Sequence, residues 1–451
     1  MFVKEDSPQE DEVKELFYPD YCGSKFYRIP ALVKTEKGTL IAGADKRNTN
    51  QEDWGNIDSV IRRKPKDKTE FEEAIVVLDL AEAEESYAFL IDMSLLVVRQ
   101  GKYKGRIYLL VDMNREGGNF WSALAGTGFE TIDKKYYRLL LDKYGKRYTV
   151  REDGSVYDDA NLKTAYKVKI EDKQPFKKHG DLSKDNKFLG NIYLERSPLK
   201  TYKTSYLWLT YSDDDGLSWQ SPKDITPQVK AEWMRFIGVG PGRGLELKSG
   251  RLVYPIYYTD AKNNKQSSAL IYSDDGGINW QRGVSPNDTK DFTSKTGQVK
   301  QELSESQVVE LNNSVLLLFM RNYGDKVKYA ISYDQGESFE DELEEVSFTS
   351  HAYCQLSVIH FNKDDKEYIL LSNPAGPERT NGSVKLGLVH NERDIEFISE
   401  YPLNDKAFQY SCLCQLSEDK FAVLYEEDDK DGKIHIKYKD FSFDDLIKAC
   451  P

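Results

Sequence analysis

Cysteine and histidine are both scarce in this chain, five of each in 451 residues. The cysteines, Cys22, Cys354, Cys412, Cys414 and Cys450, are odd in number and include no C-x-x-C spacing, which argues against a disulfide framework and against thiolate zinc binding. Cys412 and Cys414 are expected on opposite faces of one strand, unpaired with each other. The histidines, His179, His351, His360, His390 and His435, form neither H-E-x-x-H nor an i,i+4 pair, so they read as surface or packing residues. Long apolar runs are also missing. The longest aliphatic one, Val315 to Met320, is far below the roughly 20 residues that cross a bilayer. No apolar stretch follows Met1, so a secreted chain would carry its export signal outside this numbering. Basic residues are in deficit, 63 against 76 acidic, giving a net charge of −13. A protein that tracks nucleic acid along its phosphate backbone is not expected on that balance, and Arg62-Arg63-Lys64 reads as solvated surface.

What the chain does have is 39% hydrophobic and 12% aromatic residues, enough for a large core, and a signature that returns three times. The copies are Ser212 to Trp219, Ser273 to Trp280 and Ser332 to Phe339, with the pattern S-x-D-x-G-x-[S/N]-aromatic. The Asp accepts from turn amides, the Gly supplies a positive φ, and the aromatic plugs the turn against an apolar layer. Each copy follows strand-like sequence: Tyr206 to Tyr211, Ala269 to Tyr272 and Tyr329 to Ile331. The copies start 273 − 212 = 61 and 332 − 273 = 59 residues apart, the period of one repeated supersecondary unit.

Residues up to about Leu16 are charged and irregular. Strands follow at Phe26 to Val33, Thr39 to Ala44 and Asp58 to Arg63, and Lys64 to Phe71 reads as a first copy that has lost its Ser, Asp and Gly. From Lys64 to Ser212 is 148 residues, roughly 90 more than one repeat uses. The surplus contains an Asp153-Gly154 hairpin turn and is expected to be an inserted domain. The expected division is 1–112 for the first part of the repeated body, 113–203 for the insertion and 204–451 for the remainder. Short strands continue to Tyr438 with no long amphipathic helix, and about 360 residues at about 60 per unit make six units. The expected fold is all-β: a six-bladed β-propeller with a small, mainly β insertion domain.

The Phe26-Tyr-Arg-Ile-Pro30 run, the three turns, which would be Asp boxes, and Gly238-Val-Gly-Pro-Gly242 resemble the bacterial sialidases of the large pneumococcal and clostridial type, along the whole chain. The resemblance implies an exo-α-sialidase, a glycoside hydrolase that releases terminal sialic acid from glycoproteins, glycolipids or sialyllactose with retention. It needs no cofactor and no metal, and acts as a secreted or cell-surface monomer. Arg28, Arg321 and Arg379, which would come from three blades, match the triad that grips the sugar carboxylate, a task suited to planar guanidinium forks. Asp53 matches the acid and base, Tyr410 the nucleophile and Glu305 the carboxylate that takes its proton. Arg47, Asp92, Tyr257, Gln266 and Tyr353 match further substrate contacts. In relatives that transfer intramolecularly, a Trp about 21 residues after the nucleophile covers the site. Here that segment, Tyr425 to Gly432, has none, which favours hydrolysis, while Trp121 in the insertion is a substitute to consider. The alternatives are an enzyme releasing an anhydro or unsaturated product and a sialic-acid-binding propeller without catalysis.

Overall fold

Runs of β-branched, aromatic and leucine residues, punctuated by Gly, Asn and Asp turns, form antiparallel strands almost throughout, as that composition favours. The computed structural model describes residues 13–262, 264–287, 302–324, 326–340, 342–346, 352–376 and 378–449, so His351 and Cys450 lie outside the described residues. Six sheets, four of four strands and two of four strands plus a short fifth, make a β-propeller. The strands nearest its axis are Phe26–Lys34, Phe89–Val97, Met234–Val239, Leu303–Glu310, Ser357–Lys363 and Ser411–Gln415, which begin blades 1 to 6 in chain order. Two helices, Thr226–Val229 and Phe443–Lys448, are short. Among the described residues no helix is long and apolar enough to cross a membrane.

The core is divided between the blades. Ile41 and Ile61 of blade 1 pack with Leu95 and Leu109 of blade 2, and Leu96 and Leu110 on the other side of blade 2 pack with Ile237 and Ile256 of blade 3. Similar layers fill the remaining gaps, including the one between blades 6 and 1, where Leu424 and Ile436 meet Leu32 and Ala42. Closure of the ring corrects one expectation. Lys14–Phe17, expected to be irregular, is the outer strand of blade 6, with Glu15 opposite Lys437 and Phe17 opposite Ile436. Leu16 and Phe17 are 3% and 0% exposed, and burying such side chains contributes about 1.5–3 kcal/mol each. Cys412 and Cys414 are a second correction. Residues two apart in a strand share a face, and both thiols sit, free, in the core layer between blades 6 and 1.

The three repeated turns join the third and outer strands of blades 2, 3 and 4 with one hydrogen-bond pattern. Gly216, Gly277 and Gly336 N–H donate to the hydroxyls of Ser212, Ser273 and Ser332 at 2.8, 2.9 and 2.9 Å. Asp214, Asp275 and Asp334 accept from the amides four residues on at 2.8, 2.9 and 2.9 Å. Each turn also clips its blade to the preceding one. Thr39 Oγ1 donates to Asp215 Oδ2 at 2.6 Å, Tyr108 Oη to the Gly276 carbonyl at 2.7 Å, and Arg251 Nη1 to the Gln335 carbonyl at 3.3 Å. The degraded copy joins the third and outer strands of blade 1, Ile57–Lys64 and Ile75–Leu78, and buries Phe71.

Between Ile107–Asn114 and Ser205–Ser212 of blade 2 the chain forms a separate eight-stranded sheet, from Phe129–Ile132 to Lys187–Asn191 with Lys200–Thr201 added beside Lys135–Leu141. The Asp153-Gly154 turn lies in it, between Arg147–Val150 and Ser155–Asp158. Leu140, Val156 and Leu182 of this sheet share one core layer with Met93, Val111 and Trp208 of blade 2.

Replacing Gly277 by Ala places a Cβ 2.5 Å from Tyr108 Oη on a backbone with φ of +92°. Gly277→Ala is expected to lower the thermal unfolding midpoint by more than Gly101→Ala, at φ +72° with nothing within 4 Å, which carries only the backbone cost of about 1–2 kcal/mol. Equal midpoints for the two variants would mean that the inter-blade clip is not under packing constraint.

Candidate active site

The inner strands of blades 1 to 4 are each interrupted by a register shift toward their starts: between Arg28 and Ala31, Ile91 and Ser94, Met234 and Ile237, and Leu303 and Ser306. Such bulges re-aim side chains, and here they turn several toward the axis. Ile29 at φ +61° and Asp92 at φ +64° lie within the first two. A left-handed conformation is costly for a β-branched residue, so Ile29 is strained, and its amide is held by the Glu426 carboxylate at 2.7 Å.

Around this point the structure gathers side chains from all six blades. Tyr410, which leads into the inner strand of blade 6, donates from its phenol to Glu305 Oε1 at 2.5 Å. Arg321, on the strand beside Glu305, reaches Glu305 Oε2 at 2.7 Å and the Tyr410 oxygen at 2.9 Å. The Arg28 and Arg379 guanidiniums stand 5.2 and 5.9 Å from the centre of the Tyr410 ring. Gln409 Oε1 ties those two together, accepting from each at 3.3 Å. Arg379 also donates to the Tyr353 carbonyl, and the Tyr353 ring lies 4.0 Å from the Arg321 guanidinium. Gln266 Nε2 donates to Tyr353 Oη at 3.2 Å.

A cavity of about 320 Å³ opens over this group, lined by Asp53, Asp92, Tyr257, Gln266, Glu305, Arg321, Tyr353 and Tyr410 among others. Trp54, Phe120, Trp121, Phe236 and Tyr323 add an aromatic rim. Trp121 is 74% exposed and its loop is anchored by Arg235, which donates to the Trp121 and Ala123 carbonyls at 2.9 and 3.1 Å. Arg47, by contrast, is fully buried behind the wall. It donates to the Gln51 and Glu52 carbonyls at 2.6 and 2.7 Å and to Asp53 Oδ1 at 2.9 Å, and so shapes the loop that presents Asp53.

The charges fix the resting proton positions. Burial, with the neighbouring Glu305, pushes the Tyr410 phenol well above its ordinary range despite Arg321, so the phenol keeps its proton. Burial and the carboxylates of Asp45, Glu305 and Asp53 likewise raise Asp92, which makes it a neutral acid able to donate a hydrogen bond. Burial also acts on Asp53, but Arg47 and Arg28 outweigh it and hold that carboxyl below its usual range. Asp53 is therefore an anion.

Glu426 and Gln409 escape a reading of the sequence alone. Glu426 takes two hydrogen bonds from Arg28, at 3.2 and 3.1 Å, and one each from the Ile29 and Tyr410 amides, at 2.7 and 3.2 Å, with its side chain 0% exposed. It stands in the acidic run Glu426-Glu-Asp-Asp429, which looks solvated. The pointer is strand alternation: Ala422, Leu424 and Glu426 fall on one face, the face that packs against blade 1.

The model of the BNR repeat-like domain matches residues 29–426. The anhydrosialidase of Macrobdella decora is 30% identical over 95% of this chain and 61% of its own length, and Sialidase B of Streptococcus pneumoniae is 27% identical over 95% of this chain and 66% of its own. The chain thus spans about two thirds or less of these relatives. The solved intramolecular trans-sialidase from Ruminococcus gnavus, in complex with oseltamivir carboxylate, superimposes with a TM-score of 0.82 at 26% identity, covering 95% of this chain and 97% of that one.

Removing one partner of a buried ion pair leaves the other uncompensated, at a cost of about 3–5 kcal/mol. Glu426→Ala is expected to lose stability on that scale in chemical unfolding, and Arg28→Met combined with Glu426→Leu to recover most of it. Additive losses in the double variant would show that the pair is not energetically coupled.

Proposed function

The chain belongs to the family of BNR repeat-like domains, and we propose that it is a sialidase, removing terminal sialic acid from glycoproteins, glycolipids or sialyllactose outside the cell. The observation that carries this reading is the Tyr410 phenol hydrogen-bonded to Glu305 at 2.5 Å with guanidiniums gathered around it. The anomeric carbon of sialic acid carries a carboxylate. An ionised Asp or Glu approaching it would be repelled, whereas a phenol approaches neutral and passes its proton to Glu305 as it attacks.

In this scheme the sugar carboxylate docks on Arg28, Arg321 and Arg379. Docking adds an anion beside Arg28, whose Nη1 lies 3.7 Å from Asp53, and shields Asp53 from water. Both changes raise the Asp53 carboxyl, which takes up a proton and becomes the acid that the empty site lacks. Tyr410 Oη bonds to the anomeric carbon as the glycosidic bond breaks, Asp53 protonates the leaving oxygen, and Glu305 holds the phenolic proton. In the second half Asp53 takes a proton from water, the water oxygen displaces Tyr410, and Glu305 returns the proton to the phenolate. Two inversions at one carbon give retention. Asp92, Tyr257 and Gln266 line the part of the cavity left for the sugar's hydroxyl and amide substituents.

A second reading of the product is favoured by Trp121. The sequence puts no Trp after Tyr425, but the exposed Trp121 ring lies on the cavity rim, where it can screen the intermediate from water and leave a hydroxyl of the sugar itself as the nucleophile. Relatives at this level of similarity include an anhydrosialidase and an intramolecular trans-sialidase.

Tyr410→Phe is expected to cut turnover by at least about 10³-fold while sialic acid still gives saturation-transfer signals; undiminished turnover would remove Tyr410 from the mechanism. A proton NMR time course on 3′-sialyllactose then reads the product. Early α-sialic acid that mutarotates establishes retaining hydrolysis. A 2,7-anhydro or 2,3-unsaturated product, converted to sialic acid in Trp121→Ala, establishes the second reading. Sugar binding without any product would make the protein a lectin.

A further inference from the structure

The six inner strands that begin at the candidate active site end at the opposite mouth of the propeller, around a cavity of about 690 Å³. Each blade contributes to its wall, from Lys34 of blade 1 and Arg99 of blade 2 to His360 of blade 5 and Cys414 of blade 6. In a chain of net charge −13, this lining holds six basic side chains against three acidic ones, Glu36, Glu310 and Glu418. Glu36 is already taken by Arg99 at 2.8 Å and Lys104 at 3.4 Å, and Glu310 accepts the Lys248 amide at 2.8 Å.

Arg243 is the member that calls for an explanation. It enters the axis on the glycine-rich segment Gly238 to Gly244, whose Gly242–Arg243 pairs in parallel with Ser94 and Leu95 of blade 2. A Cβ at Gly240 would meet the Ser306 carbonyl at 2.6 Å and one at Gly244 the Tyr254 ring at 2.7 Å, so the backbone enters only without side chains there. Across the axis Arg243 donates from Nη2 to the Val358 carbonyl of blade 5 at 3.3 Å. Its Nε is buried with no hydrogen-bond partner, and among the described residues no carboxylate lies within ion-pair distance of its guanidinium. Among the described residues, the ammonium groups of Lys34 and Lys248, beside it on the wall, donate only to carbonyls, of Leu416 and of Leu311 and Asn312. Lys37 and Lys66 complete the basic side and form no ion pair among the described residues. A largely buried guanidinium lacking a counter-ion is costly unless an anion from outside supplies it.

We propose that this opposite mouth is a second binding site, for a compact oxyanion of two or more charges such as phosphate or the terminal group of a phosphate or sulfate ester, gripped by the Arg243 fork with Lys34 and Lys248 beside it. The cavity has room for the carrier of such an ester as well as for the anion. The site lies at the far end of the axis from Tyr410 and shares no residue with the cavity there.

Calorimetric titration of the protein with inorganic phosphate, at ionic strength held constant with sodium chloride, tests it. The expected result is saturable binding with Kd below about 1 mM, weakened at least tenfold in Arg243→Gln, whose turnover of sialyllactose stays at the native level. Should Arg243→Gln fail to fold, Lys34→Met combined with Lys248→Met carries the same test from the rim of the cavity. Tighter binding of glucose 6-phosphate than of phosphate identifies an ester as the ligand, and the reverse order a free anion. No saturable binding by the native protein, or an affinity unchanged by these substitutions, as would follow if phosphate simply occupied the arginines around Tyr410, overturns the proposal.

Discussion

The carboxylate of Glu426 joins the ends of the ring and assembles the site in one set of contacts. From the second strand of blade 6 it reaches Arg28 and the Ile29 amide of blade 1, 398 and 397 residues away in sequence, and the amide of Tyr410 at the start of its own blade. A propeller closes only when its last blade seats on its first. Here that seating is secured twice, by the pairing of Lys14–Phe17 at the rim and by Glu426 near the axis. The second seal sets the geometry of a guanidinium and a phenol. Any loosening of the ring is felt first as a displacement of Arg28 against Tyr410, so closure and site geometry stand or fall together.

Buried charge then organises what lies around that seal. Beyond burial, Asp45 and Glu305 stand close enough to Asp92 and Asp112 to raise the carboxyls of those two, and the arginines lie among them. Asp45 is pushed up to about 7 by burial, with Arg47 pulling the other way. Each arginine spends donors on protein oxygens: Arg28 on Glu426, Arg321 on Glu305, Arg379 on the Tyr353 carbonyl. The guanidiniums are thus fixed before a ligand arrives, and ordering them costs a carboxylate ligand little on binding. Against burial, Arg47 and Arg28 hold the Asp53 carboxyl below its usual range.

Legibility in the sequence followed how local the determinant was. Ser212, Asp214 and Gly216 close a turn among themselves, so the residues that make it are neighbours in the chain, and three copies at a constant interval reveal the repeat. The Asp153-Gly154 hairpin is local in the same way. Arg28, Asp53, Glu305, Arg321, Arg379 and Tyr410 could be picked out through a family resemblance, and the structure brings them to one place. What stayed hidden depended on partners hundreds of residues away. Glu426 sits in a run of acids, and only Arg28 on the facing blade makes burial of its charge tolerable. The strand Lys14–Phe17 reads as a charged lead-in because Leu16 and Phe17 find their cover on blade 6. The opposite-face expectation for Cys412 and Cys414 failed for a different reason: strand geometry repeats every two residues, a local rule that puts both on one face.

The segment Gly238 to Gly244 connects these levels. At its start the Val239 amide is held at 2.9 Å by Asp112, whose own carboxyl is raised by burial and by Asp92. At its middle the Pro241 carbonyl is gripped by Gln307 at 3.0 Å and Gln355 at 3.4 Å from two other blades. At its end Arg243 reaches the opposite mouth. The glycines give the segment room beside Ser306 and Tyr254, but each also removes a side chain that would have wedged it in place, so its position rests on hydrogen bonds at three depths along the axis. The propeller axis is thus filled by a backbone held at one end by Asp112 and at the other, through Arg243, by the Val358 carbonyl of blade 5.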